Sequence, residues 1–148
     1  MRLFWRLFKL PARDRRLLVG AWFLLAGLRI GLRVLPFRWV QRRIARRPFT
    51  SGADSAIAPD PTLPDRVAWA LSRASRYQPG RHFCLPQALC AQVLLRRGGH
   101  ASELRFGVFH DETRRVRAHA WVECAGAVVV GGAELARFTP LERAEEWR

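Results

Sequence analysis

The spacing of apolar and polar positions changes once along the chain, from helical steps in the first two thirds to strict alternation afterwards. Leu10-Pro11-Ala12-Arg13-Asp14 reads as a helix start, because proline is tolerated in a first turn and an acidic side chain there suits the helix dipole. Apolar residues dominate from Arg15 to Leu35, and Pro36 disfavours helical backbone at the residue before it. A basic segment, Arg38 to Arg47, sets Trp39, Val40 and Ile44 on one face and Arg42, Arg43, Arg46 and Arg47 elsewhere, which predicts the second arm of a helical hairpin. Residues 48–63, with Ser51-Gly52, Pro59 and Pro61, have no period and read as a linker. Thr62 is the expected cap of the next helix, with Pro64 in its first turn and Val67, Ala70, Leu71 and Ala74 at three- and four-residue steps. Pro79-Gly80 breaks it. Cys84 to Leu95 is apolar on nearly all sides, has Pro86 in its first turn and ends at Arg96-Arg97-Gly98-Gly99, the pattern of a central, buried helix.

Beyond it Leu104, Phe106 and Val108 alternate with Glu103, Arg105 and Gly107, and Ala118, Ala120, Val122 and Cys124 alternate with Arg117, His119, Trp121 and Glu123. These predict two strands. Ala125-Gly126 turns into a third, Ala127 to Val130, which Gly131-Gly132 ends. Helices followed by a small antiparallel sheet make an α+β layout: a helical region over 1–47, a linker over 48–63 and a core over 64–148.

Composition adds boundaries to this picture. With 148 residues, 49% hydrophobic and 26% charged, the chain suits one folded domain and excludes intrinsic disorder. Twenty-six Lys and Arg against twelve Asp and Glu leave +14, and Lys9 is the only lysine. Such a charge favours nucleic acid, a phospholipid surface or an acidic peptide without choosing among them, and an arginine bias also follows genome base composition. Three cysteines give no disulfide framework and fit a reducing cytoplasm. Met1 to Leu10 lacks a secretory pattern. The charge-free run Leu17 to Leu28 stops at Arg29, short of the roughly 20 residues of a membrane span, and predicts a buried or interfacial helix. A cytoplasmic location follows, with a peripheral place at the inner membrane surface left open.

Candidate chemistry begins at Cys84, in the first turn of its helix, where unpaired amides and the dipole stabilise a thiolate. Position alone favours reading it as one more small core residue. His119 shifts that balance, because a cysteine at a helix start facing a histidine on an adjacent strand is what a thiolate and its general base require. Backbone amides at the helix start, with the side chain of Gln78 upstream, are the expected oxyanion donors. Trp121 either lines a peptide cleft or belongs to the core, the core being the commoner place for such a ring. His82, Cys84 and Cys90 lie close but form no paired zinc-ligand unit, so no metal and no cofactor is expected. Cys90 and Cys124 read as core, and His100 and His110 as solvated turn residues.

Cys84-Leu85-Pro86 with Ala88-Leu89, Leu94-Leu95-Arg96-Arg97-Gly98, Ala101 to Val108 and Ala118-His119-Ala120-Trp121-Val122-Glu123 together resemble the leader peptidases of lasso-peptide biosynthesis. These are transglutaminase-like, papain-related cysteine enzymes. Leu10 to Leu18 and Arg33 to Arg38 are similar to the helical region those proteins carry ahead of the core. The resemblance implies a cysteine peptidase that removes the leader from a ribosomally made precursor peptide. It also implies a separate leader-binding protein, since no strand-rich leader-binding module precedes the core, and an ATP-dependent cyclase acting afterwards; nucleic acid is not among the implied partners. The family places an aspartate on the strand after the histidine strand, where this chain has Gly131. Glu134 is the candidate replacement and Asp111 a weaker one, while a backbone carbonyl or side-chain amide is the other way to orient the ring. Glu123 shares parity with His119 but lies about 13 Å along the strand, too far for contact. The competing expectation is a basic adaptor at a membrane or nucleic acid with a degenerate site.

Overall fold

A computed structural model describes residues 10–45, 59–79, 84–110, 112–133 and 135–141. Helix α1 spans Ala12–Val34 and stops where Leu35, restricted by Pro36, turns extended at φ −112° and ψ 142°. Helix α2 follows at once over Phe37–Ala45. Helix α3 spans Leu63–Arg76, but Thr62 does not cap it with its side chain. Asp60 organises the start instead: its Oδ1 accepts from the Thr62 amide at 2.9 Å and the Thr62 hydroxyl at 2.7 Å, and its carbonyl accepts from the Leu63 amide. Helix α4, Cys84–Arg97, ends in Arg96-Arg97 and a left-handed Gly99.

The sheet comprises β1 (Ser102–His110), β2 (Val116–Cys124), β3 (Ala127–Val130) and β4 (Thr139–Pro140), in the antiparallel order β3-β2-β1-β4. Ala125 and Gly126, at φ 51° and 79°, make the two-residue left-handed turn that suits a twisted β2–β3 hairpin. Alternation did not foretell β4, which is only two residues long, or the 3₁₀ turn Leu135–Arg137 before it. The layout is α+β, as the change of period implies.

One apolar cluster holds the helices to the sheet: Leu25 of α1, Leu71 of α3, Leu89 and Leu95 of α4 and Val122 of β2 are almost wholly buried. Val40 and Ile44 bring α2 into it. Ala120, Val122 and Cys124 are the β2 members of this cluster, so His119, Trp121 and Glu123 leave from the opposite face. Helix α1 runs on past Arg29, whose guanidinium donates to Gln78 Oε1 at 3.3 Å, and at 23 residues is long and apolar enough to cross a membrane by length and composition. That is longer than the uncharged run alone predicted. Its inner side is fastened by Asp14 to Arg66 at 2.7 Å and by the Trp22 carbonyl to Gln78 Nε2 at 2.8 Å.

Candidate active site

Helix α4 rises about 1.5 Å per residue, roughly 20 Å from Cys84 to Arg97. The chain then reverses through the Gly98–Ala101 turn, closed by the His100 amide on the Leu95 carbonyl, and β1 runs back beside α4. At about 3.3 Å per residue it regains that length near Gly107, whose partner in register is His119. The helix start and the histidine therefore share one end of the sheet, although the ring leaves from the face away from the helical layer.

The imidazole is held on three sides. Its Nε2 lies 2.8 Å from the Gly131 carbonyl. A carbonyl only accepts, so Nε2 carries the hydrogen and the neutral ring keeps its lone pair on Nδ1. Phe138 stacks on the ring at a centroid distance of 4.8 Å and 27°, and Trp121 lies 6.3 Å away at 21°. Trp121 is itself buried, donating from Nε1 to Glu123 Oε1 at 2.8 Å, and Glu123 faces Arg105, which pairs with Glu103 at 2.9 Å. Gly107 makes room for this layer: a Cβ there would stand 3.0 Å from Phe138 Cβ and from Trp121 Cζ3.

Gly131 has no room for a carboxylate at its own position. Its φ is +84°, and a Cβ on it would sit 2.8 Å from the Ala120 carbonyl oxygen and from Trp121 Cβ, so the position is closed to any side chain. What the His119 ring meets there is the Gly131 peptide carbonyl. Glu134, Asp111 and His82 lie outside the described residues.

Cys84 is half-buried, whereas Cys90 has no exposure and donates to the Ala21 carbonyl across 3.8 Å. Burial pushes the Cys90 thiol up to about 12 and raises that of Cys124 as well. Both are core residues, leaving Cys84 as the accessible thiol among the described residues. No hydrogen bond joins Cys84 to His119 among those residues, and the structure brings His119 together with Gly131, Trp121 and Phe138.

Two expectations need correction. Gln78 is not free to polarise a substrate oxygen, because its amide nitrogen bonds the Trp22 carbonyl and its oxygen accepts from Arg29. His100 is not merely solvated: its Nε2 meets the Asp60 carbonyl at 3.0 Å. Phe138 escaped the sequence reading, since a lone aromatic after a 3₁₀ turn follows no period; the one signal was Gly107, a glycine inside an alternating strand, which marks a close approach. Among the described residues no group of three or more His, Cys, Asp and Glu side chains could hold a metal ion.

A family model described as the transglutaminase-like superfamily matches residues 24–143. The chain belongs to that superfamily. Transglutaminase-like proteins are often cysteine-dependent enzymes and include cysteine peptidases. The match begins inside α1, so the transglutaminase-like region takes in part of the helical layer as well as the sheet. No curated protein and no solved structure matches the chain.

Proposed function

We propose that this protein is a cysteine peptidase that removes the leader from a ribosomally made lasso precursor peptide, with Cys84 as nucleophile and His119 as general base. The leader is presented by a separate leader-binding protein, and the freed core peptide passes to an ATP-dependent cyclase. The observation that carries the reading is the Nε2–H bond from His119 to the Gly131 carbonyl, because it leaves Nδ1 as the nitrogen able to take a proton. Support comes also from the place of Cys84 in a first helical turn and from the motif Ala118-His119-Ala120-Trp121-Val122-Glu123.

In this mechanism the ring turns toward the helix start at the sheet end that the two residues share, the Cys84 thiol gives its proton to Nδ1, and the thiolate attacks the scissile carbonyl. The tetrahedral oxyanion is met by backbone amides of the helix start; Pro86 has no N–H, which leaves those of Cys84 and Leu85. The imidazolium returns the proton to the leaving amine, freeing the core peptide and leaving the leader as a thioester on Cys84. Water, deprotonated by Nδ1, hydrolyses the thioester and restores the thiol. Mass spectrometry of precursor incubated with this protein and the leader-binding protein is the test. Parent protein yields free leader and core, and Cys84→Ala and His119→Ala yield neither while melting at the parent temperature. Continued cleavage by Cys84→Ala refutes the mechanism.

A further inference from the structure

We propose that the helical layer formed by α1 and α2 seats this protein on an anionic phospholipid surface, α1 lying flat with its outer face among the headgroups. The proposal is independent of the peptidase reading. Helix α1 is apolar on both sides, and only its inner side faces the core. On the outer side Val19, Phe23, Ile30 and Val34 recur at four- and seven-residue steps, 45%, 66%, 66% and 76% exposed, along about 22 Å of helix. Gly20 and Gly27 beside them have nothing within 4 Å of where a Cβ would stand. An apolar hollow of about 220 Å³ continues the stripe, lined by Gly27, Gly31, Leu35 and Trp39 together with Arg43 and Arg97.

Charge selects the occupant. From Ala12 to Ala45 there are eight arginines and one acidic residue, Asp14, which Arg66 already engages. Arg13 and Arg16 are exposed near one end of the stripe, and Arg33, Arg38, Arg42 and Arg43 near the other. Trp39 is exposed beside the second group, the Arg43 guanidinium 5.6 Å from its ring, and the exposed Trp22 ring meets Phe23 of the stripe edge to face at 5.1 Å. An apolar strip between arginines, with tryptophans at its margin, matches acyl chains below a layer of phosphates. A second copy would bring the same arginines against one another. The helix cannot cross a bilayer in this fold, because Ala21 and Leu25 have no exposure and Asp14 and the Trp22 carbonyl are tied to the core.

Flotation of the full chain with vesicles of phosphatidylcholine, alone or mixed with phosphatidylglycerol, tests the proposal. Binding to the mixed vesicles should be at least about tenfold stronger and should weaken with salt. The double variant Phe23→Ser/Ile30→Ser, altered only at outward positions, should lose roughly 100-fold in partitioning with an unchanged thermal melt. Equal binding to both vesicle types, or full binding by the variant, overturns the proposal. So does a parent that ignores both vesicles but sediments as a dimer that the variant dissolves, since the face would then cover a second copy.

Discussion

Replacing Gly131 tests the orienting role of its carbonyl. At φ +84° an L side chain carries a strain of about 1–2 kcal/mol. The added Cβ also meets the Ala120 carbonyl oxygen and Trp121 Cβ at 2.8 Å, and neither is the end of a flexible side chain; forced overpacking of this kind costs about 1–3 kcal/mol. Gly131→Ala should therefore lose about 2–5 kcal/mol, which for a chain of 148 residues lowers the melting temperature by roughly 6–16 °C. Gly126→Ala is the internal control: φ is +79° but nothing lies within 4 Å, so only the strain remains and the drop should be roughly 3–6 °C. The informative variant is Gly131→Asp, which puts a carboxylate where the resemblance to the leader peptidases implies one. If the backbone carbonyl orients His119, this change displaces the orienting group, and leader cleavage should fall along with the melt. Thermal melts followed by circular dichroism and single-turnover cleavage below the melting range separate the two effects. A Gly131→Asp protein that melts within about 2 °C of the parent and cleaves as fast or faster would refute both the steric argument and the assignment of the carbonyl.

Three further outcomes follow from the packing and the titrating groups. Leu25→Ala, on the inner side of α1, should cost about 2–5 kcal/mol in urea unfolding, whereas Val34→Ser on the outer side should stay within about 0.5 kcal/mol; equal costs would refute the division of α1 into two sides. The Thr62 hydroxyl and amide, with Arg66, hold the Asp60 carboxyl below its ordinary value of 3.8, so its contribution to stability is present above that pH and fades as pH falls toward the lower folded value. Asp60→Asn should flatten that acid limb, and an unchanged limb in acid titration of the unfolding free energy would contradict the capping role. Iodoacetamide at neutral pH should modify Cys84 and spare Cys90, whose thiol is held near 12; peptide mapping that finds native Cys90 labelled would contradict its burial.

The elements whose sequence period matches their burial were legible. The alternation at Leu104–Val108 and Ala118–Cys124 gave β1 and β2, and Ala125-Gly126 gave their hairpin with β3. Cys84 at a helix start and His119 mid-strand were equally readable, because both depend on local structure. What escaped depends on backbone groups and remote partners. Nothing in the residue type of Gly131 says that its carbonyl will face an imidazole, although Gly131-Gly132 did mark the end of β3. Asp60, two residues upstream of the expected cap Thr62, takes the amide and hydroxyl through an Asx-type turn that a residue pattern places less sharply. Helix α1 is apolar all round, so its period could not tell the inner side from the outer. Gln78 offered an amide of the right kind at the right place in the chain, and only the fold revealed that α1 consumes both of its ends.

The stretch that follows β3 has an uneven standing in the molecule. It supplies the Gly131 carbonyl, the Phe138 ring and the β4 pairing, and the Leu141 amide anchors it to the Phe106 carbonyl at 2.8 Å, yet none of its described residues joins the apolar cluster that binds the helices to the sheet. A strap attached this lightly opens at a lower free energy than the body beneath it. Loosening it would set the imidazole adrift while the helical layer and the β1–β2 pairing stayed in place. Amide exchange at Leu141 thus becomes a private gauge of whether the His119 ring is aligned.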